Sequence, residues 1–103
     1  MKLYGLKNCD TCRKAMKALP QATLVDVRSD GVPANVIRAA LDKFGDAVVN
    51  TRSTTWRGLD DATRAGDPMQ LLTSYPALMK RPLIEADGEL HLGWTKATQD
   101  ALT

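Results

Sequence analysis

The stretch that decides the fold is Leu3-Tyr4-Gly5-Leu6-Lys7-Asn8-Cys9-Asp10-Thr11-Cys12, an apolar run that leads into two cysteines three positions apart. The apolar residues predict a short buried strand. Asn8 and Asp10 are residue types that cap helices, so a helix is expected to begin near Cys9 or Asp10. Unpaired backbone N–H groups and the helix dipole at such a start favour the thiolate form of Cys9. Because two thiols one helical turn apart can also close into a disulfide, the stretch predicts redox or nucleophilic thiol chemistry.

Length and composition describe one compact globular domain of 103 residues, of which 44% are hydrophobic and 25% are charged. The formal net charge of +2 is spread along the chain, whereas nucleic-acid binders usually show clustered basic residues, so no nucleic-acid partner is predicted. The apolar runs are too short for a signal peptide or a membrane span, which predicts a cytoplasmic protein without a membrane partner. Since no long exposed apolar stripe is evident, a monomer is expected.

The two cysteines have a restricted set of uses in a reducing cytosol, where a structural disulfide does not persist. At this spacing they are expected to bind a metal or to act in catalysis. Zinc requires about four ligands, and His91 is the only further soft candidate. His91 alternates with Leu90 and Leu92, so it is expected to point away from the apolar side of its strand. The sequence therefore predicts no metal site and no bound cofactor.

The first half of the chain shows alternating strand and helix patterns. Apolar residues at helical spacing extend the first helix to Pro20. A second strand is expected over residues 23–27, and a second helix runs from Pro33 to about Lys43. This half therefore predicts a βαβα order.

The second half contains a helical segment followed by a hairpin. Residues from about 46 to 80 form short segments interrupted by polar residues, among them Asp67-Pro68, a good N-cap followed by a first-turn proline. Asp87-Gly88 between two apolar runs predicts a β-hairpin, and a final helix is expected over residues 95–102. With the thiols at the first strand-to-helix turn, this order predicts an α/β fold, namely a thioredoxin-like mixed four-stranded sheet in a single domain with a small helical insertion at about 46–80.

Three segments resemble one protein family, in the matching order and over nearly the whole chain. They are Lys7-Asn8-Cys9-Asp10-Thr11-Cys12-Arg13-Lys14-Ala15, Asn50-Thr51-Arg52-Ser53-Thr54-Thr55-Trp56-Arg57, and Lys80-Arg81-Pro82-Leu83-Ile84 followed by Gly93. Together they resemble the arsenate reductase (ArsC)/Spx superfamily, and within it the YffB-like branch.

The resemblance implies a cytosolic thiol–disulfide reductase in which the Cys9 thiolate attacks a disulfide or a mixed disulfide with glutathione. Glutathione, or another small thiol or disulfide, is the implied co-substrate, with glutaredoxin as a further candidate partner. The family brings an Arg-Pro pair beside the cysteine. The resemblance thereby assigns Arg81 to thiolate stabilisation or carboxylate recognition, and it predicts a cis peptide bond before Pro82.

The other residues near Cys9 have less definite roles. YffB-like proteins often have a single cysteine, so Cys12 is either a resolving thiol or a core residue on the apolar face of the first helix. Lys7 and Asn8 flank the nucleophile, and Thr11 is a candidate hydroxyl donor to its sulfur. With Arg81 and Pro82, these three residues form the predicted substrate-binding set.

Two alternative functions remain open from the sequence. One is an arsenate reductase coupled to glutathione and glutaredoxin. Of the arginines that surround the oxyanion in such enzymes only Arg81 is matched, and two further positions align approximately with Asn50 and Gly93. The other is an Spx-like redox-switched transcription regulator that binds the RNA polymerase alpha C-terminal domain, although this chain lacks room for the longer C-terminal region of Spx.

Overall fold

The computed structural model describes all 103 residues, and its four strands and six α-helices follow the predicted order. The strands are β1 (Lys2–Gly5), β2 (Thr23–Asp26), β3 (Leu83–Ala86) and β4 (Glu89–Leu92). The helices are α1 (Asp10–Ala18), α2 (Ala34–Phe44), α3 (Thr54–Arg57), α4 (Asp61–Arg64), α5 (Pro68–Ser74) and α6 (Lys96–Leu102). Short 3₁₀ helices cover Gly45–Val48 and Pro76–Leu78.

The four strands form one mixed sheet in the order β2-β1-β3-β4. Strand β1 pairs parallel with β2 and antiparallel with β3, and β3 pairs antiparallel with β4. Parallel pairing requires a crossover, which α1 supplies between β1 and β2. The predicted mixed four-stranded sheet is therefore confirmed.

The turn between β3 and β4 is the predicted hairpin. Asp87 and Gly88 both have positive φ, 52° and 81°, as a type I′ turn requires at its two central residues. Aspartate tolerates this backbone region better than most residues, and glycine adopts it without steric cost. The hairpin prediction is confirmed.

The buried side chains of β1 and β3 form a core with one face of α1. Leu3 and Ile84 are paired in register, and they belong to one buried cluster with residues of α1. The α1 residues in this cluster are Cys12, Ala15 and Leu19. The opposite face of the sheet is buried as well, since Tyr4 and Leu83 have almost no exposed surface.

His91 does not point away from an apolar side, so that prediction is wrong. It lies opposite Ile84 in the β3–β4 register and therefore shares the face of Ile84, which packs toward α1. The alternation with Leu90 and Leu92 is real, but both faces of this sheet are covered with apolar side chains. Alternation along a strand identifies a solvent-facing side only when one face of the sheet is exposed.

The chain divides into two compact units, residues 1–30 with 81–103, and residues 31–80. The second unit contains α2 through α5, and α2 contacts both the 3₁₀ helix Gly45–Val48 and α5. The compact helical unit thus begins at Gly31, ahead of the predicted insertion start near residue 46. That the whole chain is a single domain stays a prediction. No helix combines the length and apolar character needed to cross a membrane.

Short helices in the second unit depend on side-chain caps. Ser53 Oγ accepts a hydrogen bond from the Trp56 N–H at 3.1 Å, and Asp60 Oδ1 accepts one from the Thr63 N–H at 2.7 Å. Asp67 lies at the predicted N-cap of α5, yet its side chain makes no capping hydrogen bond. A helix of one turn has little intrinsic stability, so such caps contribute a large share of its order.

Arg64 joins α3 to α4. Its Nε donates to the Trp56 carbonyl at 3.1 Å, and its Nη2 donates to the Arg57 carbonyl at 3.1 Å. The guanidinium also lies over the Trp56 ring, 5.7 Å from the ring centroid. The Arg57 carbonyl is at the end of α3, where backbone carbonyls lack helical partners. The Trp56 carbonyl also accepts the Leu59 N–H at 3.1 Å.

Candidate active site

Cys9 occupies the N-cap position of α1, at the end of the loop that follows β1. Its backbone is extended, with φ −95° and ψ 119°. Its N–H donates to the Leu6 carbonyl at 3.3 Å, and its own carbonyl accepts the first helical hydrogen bond, from the Arg13 N–H at 2.9 Å. The side chain is partly exposed and is a free thiol. The predicted helix start at Cys9 or Asp10 is confirmed, and the sulfur is placed where backbone N–H groups lack helical partners.

The pKa of the Cys9 thiol is lowered from its ordinary value, although partial burial alone would raise it. The Cys12 backbone N–H lowers the pKa most, followed by the Cys12 thiol and then by the charge and hydrogen bonding of the Arg81 guanidinium. The Cys9 side chain makes no conventional capping hydrogen bond. The Cys12 N–H therefore acts as an oriented dipole at the helix start, as helix N-termini do toward anions.

Cys12 is also a free thiol, but it is buried, whereas Cys9 is partly exposed. Only 1% of its surface is exposed. Burial raises the pKa of Cys12 to about 11. The neighbouring Cys9 raises it further, because the Cys9 sulfur accepts a hydrogen bond from the Cys12 thiol and carries a negative charge as a thiolate. The Leu6 backbone N–H and Arg81 act in the opposite direction without offsetting the rise. Cys9 therefore ionises first, while Cys12 stays protonated.

Arg81 and Pro82 stand immediately before β3, and the Arg81–Pro82 peptide bond is cis, as predicted. The Pro82 carbonyl accepts a hydrogen bond from the Gly93 N–H at 2.7 Å, which ties the start of β3 to the end of β4. Arg81 is half-buried, and its guanidinium acts on both thiols. The antiparallel pairing of β1 with β3 brings this pair to the strand end from which the Cys9 loop leaves.

The three remaining predicted site residues, Lys7, Asn8 and Thr11, are exposed around the nucleophile. The groups that shift the pKa of Cys9 belong to Cys12 and Arg81, so a role for these three residues in substrate binding stays a prediction. Among all 103 residues, no group of three or more histidine, cysteine, aspartate or glutamate side chains could hold a metal ion.

Arg13 is an exposed residue of α1 that was not among the predicted site residues. Its Nε donates to the Lys7 carbonyl at 3.0 Å, and its Nη1 lies 3.4 Å from Asp10 Oδ1. Arg13 thereby links the first turn of α1 to the loop that precedes Cys9. The spacing of Asp10 and Arg13 was the available sequence signal, because side chains three positions apart are neighbours on a helix.

A pocket of about 300 Å³ lies beside the buried thiol in the same unit. Its apolar wall comes from Leu6, Met16 and Leu24, and the cationic residues Lys7 and Arg13 also line it. Cys12 forms part of its surface. The pocket has space for an apolar group, and the two cationic side chains favour a negatively charged group next to it.

In the helical unit, Asn50 is one of the two positions that the family resemblance aligns approximately with oxyanion-binding arginines. Its Oδ1 accepts the Arg52 N–H at 3.1 Å, and its own N–H donates to the Leu78 carbonyl at 2.8 Å. Asn50 therefore shapes the loop that leads to α3. Arg52 and Arg57 are both exposed in this unit.

Comparison with known proteins agrees with these features. The ArsC family model matches residues 4–102. An uncharacterised protein of Haemophilus influenzae is 39% identical over 108 aligned positions, which cover 96% of this chain and 95% of that protein. The structure of a protein named YffB has a TM-score of 0.88 at 29% identity, over 98% of this chain and 96% of its own.

A second solved structure extends this agreement. The solution structure of an arsenate reductase (ArsC) related protein from Brucella melitensis has a TM-score of 0.70 at 31% identity, and the match covers 97% of this chain and 91% of that one. The predicted thioredoxin-like α/β fold and the YffB-like resemblance are thereby confirmed. Since the family model spans nearly the whole sequence, the chain belongs to the ArsC family.

Proposed function

We propose that this protein is a thiol–disulfide reductase in which Cys9 attacks the substrate, Cys12 resolves the mixed disulfide and reduced glutathione regenerates the dithiol. The observation that carries the proposal is the contrast between a partly exposed Cys9 with a lowered pKa and a buried Cys12 with a raised pKa. Two titratable groups whose environments separate their pKa values are suited to different chemical roles. The ArsC-family fold supports the same type of function.

In the first step the Cys9 thiolate attacks one sulfur of a disulfide R–S–S–R′. The bond from Cys9 Sγ to sulfur forms as the S–S bond of the substrate breaks, and R′–S⁻ leaves and takes up a proton. Arg81 balances the negative charge on Cys9 before the attack, since its charge lowers the pKa of that thiol. The product of this step is a mixed disulfide between Cys9 and R–S.

In the second step Cys12 releases R–S⁻ from the mixed disulfide. Cys9 is then no longer an anion, so the negative charge that helped to raise the pKa of Cys12 is gone. Cys12 loses its proton to solvent, its sulfur attacks Cys9 Sγ, and R–S⁻ leaves and is protonated. The two thiols have become one disulfide, and their two electrons have reduced the substrate to two thiols.

Two molecules of reduced glutathione restore the starting state. The first attacks the Cys9–Cys12 disulfide, forms a mixed disulfide with one cysteine and releases the other cysteine as a thiol. The second attacks the glutathione sulfur of this mixed disulfide, so that the remaining cysteine is freed and oxidised glutathione leaves. The two glutathione molecules thereby supply two electrons to the protein. We assign the glutathione carboxylates to Arg81 and Lys7, because cations bind carboxylates through charge-assisted hydrogen bonds. Asn8, Thr11 and Pro82 complete the proposed substrate surface.

A coupled assay tests the proposal with the full chain. Bis(2-hydroxyethyl) disulfide serves as substrate with reduced glutathione, and the oxidised glutathione formed is followed through glutathione reductase and NADPH. We expect turnover that depends on the protein and is lost in Cys9→Ser. Absence of turnover in the wild type, or equal turnover in Cys9→Ser, contradicts the proposal.

A parallel reaction with arsenate distinguishes the nearest alternative, which the Brucella melitensis relative brings into consideration. Arsenate replaces the disulfide, and glutathione with glutaredoxin supplies the electrons. Asn50 uses its side-chain oxygen within its own loop, and of the family's oxyanion-binding arginines only Arg81 is matched. We expect arsenate turnover far below disulfide turnover. Equal or faster arsenate turnover would make arsenate the substrate and overturn the assignment.

A further inference from the structure

Gly5, the last residue of β1, lies directly beneath the buried thiol. A Cβ atom built on Gly5 would stand 2.5 Å from Cys12 Sγ, 3.4 Å from Cys12 Cβ and 3.2 Å from Leu3 Cδ2. The distance to Cys12 Sγ is too short for any real contact, and the distance to Cys12 Cβ is an ordinary one. The distance to Leu3 Cδ2 is tight, but that methyl group is the far end of a flexible side chain and needs to shift by only a few tenths of an ångström. The conflict therefore concerns mainly one atom, the Cys12 sulfur.

The backbone of Gly5 gives no other reason for a glycine. Its φ is not in the left-handed region, unlike that of Gly31, Gly45 and Gly88. It is an ordinary strand residue that pairs in register with Asp26, and its carbonyl accepts the Val27 N–H at 3.0 Å. Glycine weakens a strand interior, and it often marks a place where another group approaches the backbone closely. Here the approaching group is the Cys12 thiol.

We infer that Gly5 is a positioning residue, which lets the Cys12 sulfur settle against β1 and thereby holds this thiol in place beside Cys9. The inference deepens the proposed function and rests on it where it assigns Cys12 the resolving role. An added methyl group at position 5 turns the Cys12 sulfur away from β1, because the sulfur is the movable end of a short side chain. The interaction of the Cys12 thiol with the Cys9 sulfur then changes, although neither cysteine has been altered.

A double-mutant cycle tests this inference in the reduced full-length protein. The four proteins are the wild type, Gly5→Ala, Cys12→Ala, and the double variant. The readout is the pKa of Cys9, followed by thiolate absorbance in the ultraviolet, together with urea unfolding. Gly58→Ala is the matched control, because a Cβ at Gly58 would meet only the Thr54 and Thr55 carbonyls at 3.6 Å.

We expect Gly5→Ala to raise the Cys9 pKa by most of the amount that Cys12→Ala raises it. In the Cys12→Ala background the same change is expected to leave the pKa in place, since the sulfur that it displaces is absent. Gly5→Ala should also lower the urea midpoint of the wild type, and it should lower it less in the Cys12→Ala background, where only the tight contact with Leu3 Cδ2 remains. Gly58→Ala is expected to leave the Cys9 pKa at its wild-type value.

Three results would overturn the inference. One is an unchanged Cys9 pKa in Gly5→Ala. Another is an equal shift in both backgrounds, which would place the effect in the backbone. The third is failure of both Gly5→Ala and the double variant to fold. If Gly5→Ala alone fails to fold and the double variant recovers folding, the inference is supported.

The proposed function and this inference can be rejected independently of each other. The cycle reads ionisation and stability and needs no substrate, so it can succeed in a protein that has no reductase turnover. Conversely, additive shifts in a protein that reduces disulfides through Cys9 would reject the role of Gly5 and leave the proposed function intact.

Discussion

The start of α1 and its first buried turn carry the same side chain in opposite environments. At the start, Cys9 is partly exposed beside a backbone N–H and the Arg81 guanidinium, which lower its pKa. One turn later, Cys12 is 1% exposed, and burial raises its pKa to about 11. In this protein the helix start favours the thiolate form of a cysteine, and the core keeps a cysteine protonated. The two positions of a Cys-x-x-Cys motif are therefore not equivalent in chemistry.

The largest effect is expected from Cys9→Ser. A serine hydroxyl remains protonated and is a poor nucleophile toward sulfur, so turnover in the coupled assay should fall about a thousandfold or more. The control is the urea midpoint, which should stay close to the wild-type value because the side chain is partly exposed. Residual turnover near that of the wild type would show that Cys9 is not the attacking nucleophile. The functional difference between the two thiols would then be rejected.

Cys12→Ser is expected to have a smaller effect, of a different kind. The mixed disulfide on Cys9 must then be resolved by a second glutathione, so turnover at millimolar glutathione should fall by roughly tenfold, because an intramolecular thiol has the higher effective concentration. Mass spectrometry of the quenched reaction should show the Cys9–glutathione adduct accumulating in this variant. If the adduct does not accumulate and the rate is unchanged, Cys12 is only a core residue.

The pH dependence of reduced protein should show the two thiols separately. One thiolate is expected to form below the ordinary cysteine pKa of about 8.5, and the second only near pH 11. Because the raised folded pKa keeps Cys12 protonated, its contribution to stability is complete below about pH 8.5, where unfolded cysteine begins to ionise, and is lost as pH rises toward 11. Cys9 contributes the opposite way, since its lowered pKa favours folding above about pH 8.5 and this gain disappears as pH falls through the folded pKa.

Urea unfolding at a series of pH values measures this dependence. Tyrosine and lysine side chains ionise over the same range, so the wild type is compared with Cys12→Ala at each pH. The stability advantage of the wild type should shrink with rising pH over that interval. A constant difference between the two proteins would mean that Cys12 is not held protonated by the fold.

The smallest effect is expected from Arg81→Gln. Removing the guanidinium should raise the Cys9 pKa, but the backbone N–H of Cys12 remains in place and has the larger influence. Arg81→Lys should keep part of the effect, since it retains the charge and loses the planar donor geometry. Lys14→Gln removes one exposed charge from the same helix and serves as the control. A titration in which the Arg81 and Lys14 variants behave alike would reject a specific role for Arg81.

Local patterns along the chain were sufficient for several features. The strand, the turn and the helix start at Cys9 follow from a short apolar run, capping residue types and the spacing of the thiols. The β3–β4 hairpin follows from Asp87-Gly88, whose positive φ angles suit these residue types. These features depend on neighbours in sequence, and they are confirmed. The end of α2 at Phe44, one residue beyond the predicted end near Lys43, belongs to the same class.

Other features depend on residues that are distant in sequence. The face of His91 follows from its pairing with Ile84 and from the burial of both sides of the sheet. The contact between Arg13 and the Lys7 carbonyl needs a particular loop path, which composition does not specify. Likewise, α2 groups with the helices that follow it because of its contacts with α5.

The sequence by itself determined the element order, the placement of Cys9 at a helix start and the family resemblance, because these rest on local spacing and residue type. Only the tertiary structure decided the state of Cys12. Its sulfur is buried against Gly5, and a core position and a resolving position have the same pattern along the chain. The pairing of β1 with β3 likewise brings Arg81 to the thiols across more than half of the sequence. The physical reason is that burial and electrostatics are set by atoms that meet in space, which a pattern of neighbours does not contain.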